Sequence, residues 1–133
     1  MEILAIVTLL ALIEYIVIFV LVGRARARYG IRAPATTGHE IFERYFRVQQ
    51  NTLEQLVIFL PALWIFGWSL SYAAAAALGL VFIAGRGVYL RGYVAAPERR
   101  SLGFLLTSLA NLTLLLGGLV GAVLRLLAER ASN

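Results

Sequence analysis

Cysteine is absent from the 133 residues, so neither a disulfide nor a protein thiol nucleophile is available, and any sulfur chemistry must come from a ligand. Lysine is absent as well: all twelve basic residues are arginine. The single histidine, His39, offers nothing around which a metal site could be assembled, and no metal is expected. Charge is scarce, at 14% of residues against 61% hydrophobic, with a mean hydropathy of +0.84. A soluble domain carries about 25% charged residues, which excludes that class and leaves an integral membrane protein. The net charge of +5 is explained by membrane topology, and without a soluble basic face no nucleic-acid partner is expected. No internal repeat, low-complexity tail or second domain is found.

Four apolar segments can be cut out at roughly 3–22, 55–70, 71–90 and 102–124, and about 20 helical residues cross a bilayer core. The second reaches that length only if its helix starts before Asn51, so the expected spans are 3–22, 47–70, 71–93 and 102–124. Together they make one all-α, four-helix transmembrane domain over 1–133. The first span opens on Glu2 and lacks both a basic leader and a convincing cleavage site, so it is expected to be a mature helix. Residues 23–45, with Gly30, Pro34, Thr36, Thr37 and Gly38, are expected to form a polar loop. The other connections are short, making the second, third and fourth spans antiparallel neighbours. Ala73–Ala77, Gly117 and Gly121 permit close helix contacts, within one bundle or between subunits.

Arginine marks one side of this bundle. Arg24, Arg26, Arg28, Arg32, Arg44 and Arg47 lie in 23–47, and Arg86, Arg91, Arg99 and Arg100 in 86–100. With four spans these segments share a side, which the positive-inside rule makes cytoplasmic. The opposite connection is uncharged and flanked by Trp64, Trp68 and Tyr72, as in an interfacial aromatic belt. Compact loops without targeting signals point to a bacterial inner membrane.

Polar groups at the entrance to the second span carry the functional signal. At about 100° per residue, Arg47, Asn51 and Glu54 project within roughly 60° of one another along about 10 Å of helix. Such a face could hold a small zwitterion, or Arg47 and Glu54 could form a structural ion pair. Arg86, Tyr89 and Tyr93, at i, i+3 and i+7, share a face at the end of the third span, and Arg99 and Arg100 follow Pro97. Antiparallel packing brings this set to the depth of Arg47, Asn51 and Glu54. Glu14, midway along the first span, is expected to be either protonated or paired within the bundle with a partner such as Asn111. His39 is expected to be a solvated loop residue.

The runs FERYFRVQQNTLE at 42–54 and GRGVYLRGYVAAPERRSLGF at 85–104 resemble the MAPEG family of membrane-associated proteins in eicosanoid and glutathione metabolism. The nearest pattern is that of its microsomal glutathione transferase 2 and leukotriene C synthase branch. The resemblance implies a homotrimer, with glutathione as cosubstrate bound between subunits near the cytoplasmic surface. It implies ligand contacts at Arg47, Asn51 and Glu54, further contacts at Arg26 and Gln49, and a site lined by Tyr89 and Tyr93, beside which Arg86 is counted by position. Arg100 matches the arginine thought to stabilise the thiolate. The implied activity is a membrane transferase or peroxidase that turns the glutathione thiolate on a lipophilic electrophile or hydroperoxide.

Two departures mark this chain. Gln55 stands where the leukotriene branch has a tyrosine, and Pro61 falls later in the second span than in mammalian relatives, where it should reshape a lipid-facing groove. The alternative is a non-enzymatic lipid-binding or scaffold protein of the same fold.

Overall fold

Helix accounts for nearly the whole computed structural model, which describes residues 1–132. The elements are α1 (Glu2–Tyr29), α2 (Glu40–Ser69), α3 (Tyr72–Ala95), a single 3₁₀ turn (Pro97–Arg100) and α4 (Ser101–Ala131). All four long helices are long and apolar enough to cross a membrane, which defines a multi-pass membrane protein.

The first connection is shorter than the expected 23–45, because α1 continues through Arg24, Arg26 and Arg28 to Tyr29. Arginine is a good helix former, so a change from apolar to charged residues ends the membrane span without ending the helix. The end comes at Gly30, whose φ of 69° is left-handed and lets Gly30 and Ile31 donate to the Arg26 carbonyl. At the other end of the loop, His39 is the N-cap of α2: its Nδ1 accepts from the Ile41 N–H at 3.2 Å, while Glu43 accepts from the Gly38 N–H at 3.0 Å. His39 also stacks on Tyr29 with centroids 3.7 Å apart, so the loop histidine is a structural residue.

The other connections are tight. Leu70 and Ser71 join α2 to α3, with the Ser71 hydroxyl accepting from the Ala74 N–H. Arg44 donates to the carbonyls of Val94 and Ala95 and is ion-paired with Glu40, which ties the start of α2 to the end of α3. α2 is unbroken across Pro61, which is exposed on its outer face.

α1 packs on α2 and α3, and α4 closes the bundle against the same two helices. The main core joins Leu4, Val7, Leu56, Phe59, Leu63, Phe82 and Leu114, with Phe59 and Phe82 stacked at 3.9 Å. Small residues serve contacts within the chain: Ala75 and Ala76 are core residues, and side chains at Gly117 or Gly121 would meet Phe66 or Ser69.

The closest approach matters most for the site. A Cβ on Gly103 would overlap the backbone of Tyr89, and one on Gly85 would meet Thr107 at 2.8 Å. Gly103→Ala is therefore expected to destabilise the bundle. Overpacking costs about 1–3 kcal/mol, which outweighs the ~1 kcal/mol of helix propensity gained over glycine. Gly23→Ala, with open space around it, should gain slightly instead. Thermal unfolding in detergent compares the two; a Gly103→Ala protein as stable as the parent would show that α3 and α4 have room to part.

Candidate functional site

Where the arginine-rich ends of α2, α3 and α4 converge, a cavity of about 620 Å³ opens. Arg47 and Asn51 contribute from α2, Tyr89 and Tyr93 from α3, and Arg100 from the end of the 3₁₀ turn. The remaining wall is Ser101, Phe104, Leu105 and Ser108. These four stand at i, i+3, i+4 and i+7, one face of the first two turns of α4. Sequence reasoning passed over them because two serines amid apolar residues resemble any membrane helix; their spacing directly after Arg100 was the available signal.

Electrostatics favour an anion here. Arg47 and Arg100 are exposed to the cavity, the Arg100 guanidinium lies 5.8 Å from the Tyr93 ring centroid, and no carboxylate lines the wall. Tyr89 and Tyr93 form an aromatic side with centroids 5.6 Å apart.

Behind this wall lies Arg86, which is 0% exposed and does not line the cavity. Its guanidinium donates to Asn51 Oδ1 at 2.7 Å and to the hydroxyls of Thr52 and Thr107, both at 3.4 Å. It also sits over the Tyr89 ring, 4.2 Å from the centroid. A buried guanidinium is tolerated only with such partners. The geometry has a directional consequence: with its oxygen committed to Arg86, Asn51 has its amide N–H groups left as the donors available to a ligand.

Three other expected contacts lie off the cavity wall in the single chain. Arg26 donates to the Ala35 carbonyl at 2.6 Å and covers the Phe42 ring at 4.8 Å, bracing the loop against α1 and α2. Gln49 faces α1, where its amide donates to the Tyr15 hydroxyl at 3.5 Å. Glu54 is exposed on the outer surface of α2. An ion pair between Arg47 and Glu54 is not formed; among the described residues the one arginine–carboxylate pair is Arg44–Glu40.

Of the two alternatives for Glu14, pairing with Asn111 is not the one formed. Asn111 donates instead to Gln55, at 2.8 Å to its side-chain oxygen and 3.3 Å to its backbone carbonyl. Glu14 faces α3 beside Gly87, 3.7 Å from where a Cβ would stand. α1 and α4 lie on different sides of the α2–α3 pair, so the two residues do not meet. Gln55 thus serves as a tie between α2 and α4.

A four-helix membrane bundle with a basic, aromatic-walled cavity at one end is the class that these features define. The MAPEG family model matches residues 4–120, and the chain belongs to that family. It is 49% identical to a Synechocystis protein described as uncharacterized, over 92% of this chain and 89% of that one. It is 48% identical to human microsomal glutathione S-transferase 2 over 71% of this chain, and 37% identical to bovine leukotriene C4 synthase over 73%. Those two matches each span 65% of the mammalian protein. Among the described residues, no group of three or more His, Cys, Asp or Glu side chains could hold a metal ion.

Proposed function

We propose that this protein is a trimeric, glutathione-dependent membrane transferase or peroxidase whose cosubstrate is bound at the Arg47–Asn51–Tyr89–Tyr93–Arg100 cavity. The observation that carries the reading is the convergence of two guanidiniums, an oriented amide and two phenols from three elements on one open volume. Glutathione presents two carboxylates, amide carbonyls and a thiol. Guanidiniums bind carboxylates through charge-assisted hydrogen bonds, and the Asn51 amide is set to donate to a carbonyl or carboxylate.

Arg47, on α2, anchors a carboxylate, and Arg100 faces the sulfur. A free thiol titrates near ~8.5 and is only a few per cent ionised at neutral pH. A guanidinium beside it in a poorly solvated site favours the anion. Arginine suits this role because it keeps its charge when desolvated, where a lysine would lose its proton. The sulfur lone pair then forms a bond to an electrophilic carbon while the leaving group departs with its electron pair. With a hydroperoxide, the sulfur takes the terminal oxygen and the alcohol leaves; a second glutathione completes the disulfide and releases water.

Lipophilic substrates reach the site from the bilayer. Phe104 and Leu105 are exposed at the cavity, and a separate apolar groove of about 440 Å³ runs between α2 and α4 past Pro61, Val57 and Leu115. In the trimer, exposed Glu54 stands at a subunit boundary, where it completes the site with its positive-charge-binding carboxylate. By the positive-inside rule the cavity opens to the cytoplasm, and the compact loops fit a bacterial inner membrane.

Glutathione titration of the purified protein in detergent, followed by calorimetry and by the ultraviolet absorbance of the thiolate, tests the proposal. Saturable binding with thiolate formation is expected. Arg47→Ala should weaken binding by about 10- to 150-fold, the worth of one hydrogen bond to a charged group, with turnover at saturating glutathione little changed. Binding without thiolate or turnover would indicate the non-enzymatic lipid-binding alternative, and no binding would remove glutathione altogether.

A further inference from the structure

A second basic cleft lies on the same end of the bundle and shares no residue with the glutathione cavity. It consists of two adjoining hollows of about 320 and 340 Å³ that have Leu21 and Tyr45 in common. The first, between α1 and α2, carries Arg24 and Arg28; the second, reaching α3, carries Arg91 beside Leu90 and Val94.

We infer that this cleft is a binding site for the phosphodiester headgroup of an anionic glycerophospholipid, with Arg24, Arg28 and Arg91 as its cationic rim and Leu21, Leu90 and Val94 along the acyl chain. Three observations carry this. The first is unanswered charge: none of the three guanidiniums has a carboxylate partner, since the one arginine–carboxylate pair among the described residues is Arg44–Glu40. The nearby acids are committed elsewhere, Glu40 to Arg44 and Glu43 to the Gly38 N–H.

The second is spacing. Arg24 and Arg28 are one helical turn apart on one face, about 6 Å along the axis, so both can reach the oxygens of a single phosphate. The Arg28 guanidinium rests against the neighbouring Tyr29 ring at 5.7 Å, which restrains it at the cleft. The third is the amphipathic lining: Arg24, Arg28 and Arg91 share the two hollows with Leu21, Leu90 and Val94, which matches an amphiphile lying against the bundle from the bilayer. Clefts of this kind between membrane helices select acidic headgroups. A free phosphate would use the arginines alone and gain nothing from the aliphatic half.

Native mass spectrometry of the full chain, released from nanodiscs of equimolar phosphatidylglycerol and phosphatidylcholine with matched acyl chains, reads the site. Preferential retention of phosphatidylglycerol is expected. Each arginine near a charged lipid surface contributes enough that Arg24→Gln with Arg28→Gln should cut the preference by about tenfold or more. Arg32→Gln, in the loop and outside the cleft, should leave it unchanged, and inorganic phosphate should not displace the lipid. Equal retention of both lipids by the parent protein would overturn the inference. So would an unchanged preference in the double variant, an equal loss in Arg32→Gln, or displacement by inorganic phosphate. Should the double variant fail to fold, Arg28→Gln alone is read by the same criteria.

Discussion

Arg100→Ala is expected to remove most of the glutathione thiolate at neutral pH while leaving the protein folded. Arg100 is exposed and ends a 3₁₀ turn rather than filling a core, so its loss costs little packing. An adjacent cation lowers a thiol pKa by about 1–3 units. Taking ~2 units, the ionised fraction near pH 7 falls from about 75% to about 3% when the guanidinium is removed. The rate should fall less than the absorbance, because a thiolate of lower pKa is also a weaker nucleophile, by about tenfold over two units. Spectroscopy at neutral pH is therefore the sensitive readout. The sign with pH is definite: raising the pH above the free thiol range ionises the sulfur without help, so the variant should recover activity at saturating glutathione. A thiolate signal equal to that of the parent would take Arg100 out of the mechanism and turn attention to Arg47 as the nearest remaining cavity guanidinium.

The second large effect is expected at Arg86, and it should appear as stability together with affinity. Replacing it by Met keeps much of the volume and removes the cost of burying a cation, which by itself would stabilise. Against this, Asn51 Oδ1 and the hydroxyls of Thr52 and Thr107 lose their donor. The hydroxyls keep their own donations to the Val48, Gly103 and Phe104 carbonyls, so Asn51 bears the main loss, about 1–3 kcal/mol for a buried unsatisfied group. The groups left behind are neutral, so the loss is that of the unsatisfied polar group and not of an unpaired charge, and a net destabilisation of about 1–3 kcal/mol is expected in detergent unfolding. Glutathione binding should weaken as well, since an unrestrained Asn51 no longer presents its N–H groups to the cavity. Adding Asn51→Leu to Arg86→Met should recover part of the stability but none of the affinity, which separates the two effects. Unfolding of Arg86→Met at or above the parent midpoint would mean that the three hydrogen bonds only balance the cost of desolvating the guanidinium.

Four spans, the antiparallel order of the last three and the gathering of arginine at one end were legible in the sequence. Each depends on local sums: about 20 apolar residues cross a bilayer whatever their neighbours are, and connection length decides adjacency. Helix geometry put Arg47, Asn51 and Glu54 on one face and Arg86, Tyr89 and Tyr93 on another, and of these six Glu54 and Arg86 do not line the cavity. Helix ends were less legible. The arginines of α1 suggested a loop from residue 23, but side-chain charge does not interrupt backbone hydrogen bonding, and α1 runs on to the left-handed glycine at position 30.

What only the tertiary structure decided is which way each face turns. Arg86 and Glu54 look alike in sequence, each a charge near one end of an apolar span, yet Arg86 is buried and Glu54 is exposed. The difference arises from partners distant in the chain: Thr107 and Asn51 converge on Arg86, while nothing within the single chain covers Glu54. Gly103 shows the same dependence, as its missing side chain lets α4 lie against the Tyr89 backbone and brings Arg100 to the tyrosines. Composition and periodicity are properties of one segment and can be read from it. Burial and hydrogen-bond direction belong to pairs of segments, and they exist only once the helices have packed.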